Sequence, residues 1–171
     1  MAKDKLQAGT RSATRQLRSR KTVIDETDLS ILRFVQDNCQ APLDNMAKRL
    51  DIPKSTLHYR IKRLEKDGVI EGYHAKVNPV DLGYDYVAII LVRAKYGPRY
   101  HERVGKKIVA IPGVWAVYYV LGEYDFIVLL RATNRDDYMH KLELLSNITD
   151  IERTNTQIAA KIIKEDPRLQ L

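Results

Sequence analysis

A chain of 171 residues, 44% hydrophobic and 30% charged, is long enough for one ordinary domain or two small ones, each with its own core. No apolar run approaches the ~18 residues needed to cross a bilayer, and the opening MAKDKLQAGTRSATRQLRSRK lacks the apolar centre of a secretion signal, so a soluble cytoplasmic protein with no membrane partner is expected. The single Cys39 excludes an internal disulfide, and His58, His74, His101 and His140 show no metal-ligand spacing with it, so no metal or other cofactor is expected.

The net charge of +7 is concentrated at one end, because residues 1–21 hold seven Lys or Arg against one acidic residue. Such an arm can bury too little apolar surface to offset its ordering entropy, so it is expected to be disordered alone and drawn to polyanions. A solubilising tail without specific contacts is the plainer reading of the same charge.

From Asp25 to Asn38 (DETDLSILRFVQDN), Ile31, Phe34 and Val35 recur at helical spacing, and Asp25 with Asp28 forms a capping-box-like start. After a turn at Gln40 to Pro42, Leu43, Met46, Ala47 and Leu50 predict a short second helix ending at Asp51. Ile52 and Pro53 then lead into a third, with Leu57, Ile61 and Leu64 inward and a stop at Gly68. Projected at about 100 degrees per residue, this third helix places Ser55, Tyr59, Lys62 and Lys66 opposite its apolar stripe, flanked by Thr56, His58 and Arg63. A narrow packing stripe and an outer surface of hydroxyl, phenol and basic groups have the form of a helix-turn-helix recognition helix, although an ordinary solvated amphipathic helix looks similar.

Lys54, Lys62, Arg63 and Lys66 suit phosphates, Ser55, Thr56, His58 and Tyr59 can reach base edges or sugars, and Arg15, Arg18 and Arg20 of the arm can reach a minor groove. Arg60 lies beside the stripe and is expected as a structural ion-pair partner. Next comes VIEGYHAKVNP, Val69 to Pro79, whose alternation predicts an extended segment, either a wing or a connector.

The second half changes character. Tyr86 to Ala94 reads as a buried strand, and Tyr100, Val104, Ile108 and Ile111 as a helix stripe before Pro112-Gly113. Val114 to Leu121 and Phe126 to Ala132 are expected as a hairpin across GEYD. Asn134 and Asp137 start a second helix with Tyr138, Leu142 and Leu145 inward, and Ile151 to Ile163 is expected as a last strand. The order β-α-β-β-α-β is that of a ferredoxin-like sandwich with both helices on one sheet face. Strands apolar on both faces predict that the other face packs against a second copy, giving a symmetric homodimer, with a lid folded back from the same chain as the alternative.

The segments IDETDLSIL, KSTLHYRIKRLEKDGVIEGY, KVNPVDLGY, IPGV and GEYDF, in this order and spacing, resemble the Lrp/AsnC family of transcription regulators, also called feast/famine regulatory proteins. The resemblance runs from Val23 to about Glu165. Two departures are Pro53, where the family commonly has a Ser helix cap, and an unusually long basic arm. The resemblance implies an α+β chain: a basic arm at 1–21, a winged helix-turn-helix at 22–68, a wing or hinge strand and linker at 69–83, a ferredoxin-like effector-binding domain at 84–165 and a tail at 166–171. It further implies binding of double-stranded DNA as a homodimer, with assembly into tetramers or octamers, and control by an amino acid or related small metabolite. Carried over by position, the effector residues are Val114, Gly122, Glu123, Tyr124 and Asp125, with Thr154 and Thr156. Turn N–H groups around Gly122 can hold a carboxylate and Asp125 an ammonium, although GEYD on its own terms is an ordinary hairpin turn in which Gly relieves backbone strain.

Three classes of function compete. A sequence-specific transcription regulator comes first, and an architectural protein coating DNA with little sequence preference is the alternative. An enzyme is not expected, because no His, Cys, Ser and carboxylate set falls in a plausible nucleophile or metal arrangement, and Glu123 with Asp125 is a lone acidic pair.

Overall fold

The structure, a computed structural model, describes residues 23–171. The basic arm, with Arg15, Arg18 and Arg20, lies outside the described residues. The chain divides into two compact units, one running to His74 and taking in Pro167–Leu171, the other spanning Ala75–Asp166. This differs from the expected division in two places: residues 69–74 stay with the helices, and the presumed tail folds into the first unit.

The first unit holds α1 (Glu26–Asp37), α2 (Leu43–Leu50) and α3 (Lys54–Lys66). A reciprocal capping box starts α1: the Asp28 N–H donates to Asp25 at 2.8 Å and the Asp25 N–H donates to Asp28 at 3.2 Å. Asp51 ends α2 in the left-handed region at φ 53, which short polar residues tolerate. Gly68, at φ 73, ends α3, and the N–H groups of Val69 and Ile70 return to the Leu64 carbonyl at 2.9 and 3.1 Å. The core is small: Ile31, Met46, Ala47, Leu57, Ile61 and Leu64. Residues 71–78 pair with nothing as a strand, so the expected extended segment forms no wing strand within the described chain.

In the second unit β1 (Tyr86–Ala94), β2 (Val114–Tyr119), β3 (Phe126–Ala132) and β4 (Ile151–Ile158) form an antiparallel sheet in the order β2-β3-β1-β4, with α4 (Tyr100–Val109) and α5 (Arg135–Ser146) between them in sequence. This is the ferredoxin-like order. Ala88, Ile90, Val92, Phe126, Val128 and Leu130 share the face packed with Val104 and Ile108 of α4 and Leu145 of α5. Ile89, Leu91, Ile127 and Leu129 point the other way and are left half-buried, with Tyr118 beside Ile127 55% exposed.

Two strands are shorter than the sequence implied. Pairing of β4 stops at Ile158, opposite Ala88, because β1 begins at Tyr86 and offers little further ladder; one last bond runs from the Ala159 N–H to Val87. Strand β2 stops at Tyr119 because the Val120 N–H turns to the Asp125 carbonyl at 2.8 Å and closes the hairpin. Gly113 before β2 has φ +84 and lies so near β3 that an added Cβ would be 2.3 Å from the Arg131 carbonyl, so only glycine fits.

Candidate nucleic-acid interface and effector site

Helix α3 is anchored from behind by charge as well as by its apolar stripe. Asp28 is fully buried, and both Arg60 and Arg63 reach it from α3. The Arg60 guanidinium donates to Asp28 at 2.9 Å and to Asp25 at 2.7 Å, the ion-pair role expected of it. That contact with Arg60, reinforced by the Asp28 N–H, holds the Asp25 carboxyl below its ordinary pKa. Arg63 is a correction. Spacing put it on the flank of the outer face as a phosphate partner, but its guanidinium turns inward to Asp28, and its Nε is buried without a hydrogen-bond partner.

Outward, Ser55, Thr56, His58, Lys62 and Lys66 are exposed, and Tyr59 is 68% exposed. Lys54 pairs with Asp44 at 2.8 Å in an exposed setting where a phosphate can compete, and exposed Lys62 pairs with half-buried Glu65 at 2.8 Å. Glu65 also accepts from the Tyr73 hydroxyl at 3.0 Å. Lys62 and then Tyr73 lower the Glu65 pKa, while burial and then Glu65 push the Tyr73 phenol up to about 12. The exit of the recognition helix is therefore fastened to the chain that follows it.

The effector set divides into three groups. Thr154 and Thr156 lie opposite Val92 and Ile90, on the helix side of the sheet at its edge strand. Asp125 belongs with them: its Oδ1 accepts from the Tyr100 hydroxyl at 2.8 Å and its Oδ2 from the Ala94 N–H at 2.8 Å, while its own N–H donates to Val92 at 2.9 Å. Glu123 and Tyr124 instead engage Arg153, a position on the opposite sheet face, through a 2.5 Å ion pair and a guanidinium 5.4 Å from the Tyr124 ring centre. Val114 opens β2, a whole strand away from the turn and opposite Leu130, so the single chain does not bring it to the other residues.

Two expectations about the turn change. Gly122 is not left-handed, and a Cβ there would meet open space, so relief of strain does not explain it. Asp125 is a lock between hairpin, β1 and α4 before it is anything else. Among the described residues, no backbone bond is donated by the amides of Gly122, Glu123 or Tyr124, which leaves three N–H donors at the turn for an anion.

The sequence reading missed the aromatic cluster behind Asp125. The Tyr100 hydroxyl also lies 3.2 Å from that of Tyr119, His101 stacks on Tyr119 with centroids 5.1 Å apart, and Tyr96 lies 4.9 Å from Tyr100. Contact with Tyr119, burial and the Asp125 charge all raise the Tyr100 pKa, so this phenol stays neutral and donates to Asp125. The helical stripe marked Tyr100 as core, and no spacing signal revealed its hydroxyl. Among the described residues no group of three or more His, Cys, Asp or Glu could hold a metal ion, and no helix is long and apolar enough to cross a membrane.

Residues 24–71 match the profile of a winged helix-turn-helix DNA-binding domain, and residues 87–169 that of the Lrp/AsnC ligand binding domain. The HTH-type transcriptional regulator FL11 of Pyrococcus furiosus is 37% identical over 147 residues, covering 86% of this chain and 96% of the relative. This chain belongs to the Lrp/AsnC family. It is a transcriptional regulator with a helix-turn-helix DNA-binding domain and a ligand-binding domain, and the architectural alternative finds no support. Among solved structures, an AsnC family transcriptional regulator from Agrobacterium tumefaciens superposes with TM-score 0.80 at 22% identity, covering 85% of this chain and 95% of that one. A feast or famine regulatory protein of M. tuberculosis complexed with L-methionine gives 0.77 at 24%, covering 86% and 99%. These two likenesses establish the shared fold.

Proposed function

We propose that this Lrp/AsnC regulator reads specific DNA sequences through the outer face of α3, acts in the cytoplasm as a homodimer or a larger assembly, and changes its assembly or DNA affinity when an amino acid or related metabolite binds at the Gly122–Asp125 turn. One observation supports the first part above all: α3 is fixed from behind by buried Asp28 while Tyr59 and its polar neighbours face water. Tyr59 and His58, with Ser55 and Thr56, are the candidates for base or sugar contacts, and Lys54, Lys62 and Lys66 for phosphates. Arg15, Arg18 and Arg20 of the arm extend the phosphate or minor-groove set.

The effector reading rests on the three undonated turn amides, together with the hydroxyls of Thr154 and Thr156 on the edge strand. The amides suit a carboxylate and the threonines add hydroxyls. The ammonium can use the lone pairs of Asp125 that Tyr100 and Ala94 leave open. Val114 and the half-buried sheet face of Ile89, Leu91, Ile127 and Leu129 await a second copy, the natural cover for such a face.

The test of DNA reading is a pair of titrations on operator and random DNA. Lys66→Ala should weaken both and reduce the salt slope by about 0.9, whereas Tyr59→Ala should lower the ratio between them. Equal losses on both DNAs for Tyr59→Ala remove it from readout. The effector test is thermal unfolding against the common amino acids, L-methionine among them, where ligand at about 100 times its Kd adds about 2.7 kcal/mol. Thr154→Val with Thr156→Val should abolish the shift. These variants are preferable to Asp125→Ala, which also breaks the lock to Tyr100 and Ala94. No shift from any amino acid, or from related metabolites added to the screen, at millimolar concentration rejects the effector reading.

A further inference from the structure

Residues 167–171 show no periodicity, yet three of them are held by one surface of α1. The Gln36 side-chain amide pairs with the Leu169 backbone as a strand neighbour does: Nε2 donates to the Leu169 carbonyl at 3.2 Å and Oε1 accepts from its N–H at 2.8 Å. Arg33 Nε donates to the Leu171 backbone oxygen at 2.8 Å, and Arg168 pairs with Asp37 at 2.7 Å. Arg33, Gln36 and Asp37 stand at i, i+3 and i+4, the spacing of one helix face. None of the three belongs to the DNA-facing set.

The start of the same segment is fixed in the other unit. Arg131 of β3, 11% exposed, donates to the Tyr84 carbonyl at 3.0 Å and pairs with Glu165. One guanidinium thus holds both the residue where the chain comes into the sheet and the residue where it leaves.

We propose that residues 165–171 are a strap, pinned at one end by Arg131 and docked at the other on α1, which gives the DNA-binding unit a second, non-covalent attachment to the chain that leaves the sensing unit. The chain crosses between the units at 74/75 and again at 166/167. A unit held at two points loses less orientational freedom when it engages DNA than one swinging on a single linker, so the strap favours binding without touching DNA. This last consequence rests on the DNA-binding reading above; the docking itself does not.

The test uses the full chain with two neutral changes that leave every cation in place. Gln36→Ala removes the helix side of the pairing, and Leu169→Pro removes the N–H on the strap side without touching a core. Trypsin cleavage after Arg168 should be about tenfold faster in Gln36→Ala than in the parent, and hydrogen exchange of the Leu169 N–H correspondingly faster in that variant. Each variant should also weaken DNA binding about threefold or more with an unchanged salt slope. Cleavage and exchange as fast in the parent as in Gln36→Ala overturn the docking, and an unchanged DNA Kd in both variants overturns the restraint. A parent protein that fails to bind DNA sinks the earlier reading, while proteolysis and exchange still decide the strap.

Discussion

The two units solve the same packing problem with opposite charges in their interiors. The sensing unit has fifteen buried apolar residues in one cluster and admits one buried ammonium, Lys141, 6% exposed. Among its described residues, the DNA-binding unit has six buried apolar residues in its cluster and admits one buried carboxylate, Asp28, fully inaccessible. Their partners differ more than their signs. Lys141 donates to Asp137 at 2.5 Å, an acid one turn away on the same helix, and to the Arg131 carbonyl at 3.2 Å. Asp28 instead joins α1 to α3 across 35 residues of sequence through Arg63 and 32 through Arg60. A small core leaves helix orientation poorly determined, and a buried ion pair between helices supplies the direction that six apolar side chains do not.

The largest effect expected from this contrast is Phe126→Ala. Phe126 is 1% exposed at the centre of the larger core, and its truncation should lower the stability of the sensing unit by about 3 to 5 kcal/mol. Trp115, the chain's one tryptophan, lies on β2, so its fluorescence follows this unit, while far-UV ellipticity is weighted toward the three helices of the other. In a denaturant titration the fluorescence midpoint should fall, and the far-UV transition, to which α4 and α5 also contribute, should split into two steps of which the later one holds. If both fall equally, the units are one cooperative block.

Asp28→Ala should give the reverse pattern. Arg60 keeps Asp25, but Arg63, whose Nε already lacks a partner, would be left without a carboxylate in a setting 31% exposed. The helical transition should lose about 3 kcal/mol. DNA affinity should fall with it, because the pairs that orient α3 are gone. A variant that keeps its stability would show that the six-residue core positions α3 unaided.

How much of this could be read beforehand follows from the range of each interaction. The bounds of α1, α3 and β1 were legible because capping boxes, apolar stripes and β-branched runs are local signals, and GEYD marked the hairpin. The fate of Arg60 and Arg63 was half legible: both flank the stripe, and only a tertiary carboxylate decides which way a guanidinium turns. Strand β4 was overextended because its own alternation continues after its partner β1 has run out. The strap left no trace, since Leu169 and Leu171 pair through backbone groups, and Arg168 through one ion pair, with a helix more than 130 positions earlier.

Acid should blur the contrast. Asp25 is held below its ordinary pKa chiefly by Arg60 and Glu65 chiefly by Lys62 in one unit, Asp137 chiefly by Lys141 and Asp150 chiefly by Arg103 in the other. A carboxyl whose folded pKa is depressed contributes stability that is complete above its unfolded value, near about 4, and is lost as pH falls through the folded value. Both transitions should therefore hold between pH 7 and 5 and weaken together below about pH 4. A fluorescence midpoint unchanged down to pH 3 would mean that Asp137 and Asp150 are not stabilising the sheet unit.

The smallest effect is expected at Lys141→Met, and it sharpens the comparison most. Methionine keeps the length and apolar stem of the lysine and removes only the ammonium. The abandoned partner Asp137 is 28% exposed, also accepts from the Thr133 N–H at 2.8 Å, and can be solvated, so no uncompensated charge is buried. The fluorescence midpoint should move by less than about 1 kcal/mol in either direction, against about 3 for Asp28→Ala in the other unit. A loss comparable to that of Asp28 would show that Lys141, through its bond to the Arg131 carbonyl, holds β3 and α5 together as Asp28 holds α1 and α3. The two buried charges would then be equivalent devices, and core size would not explain where the chain uses them.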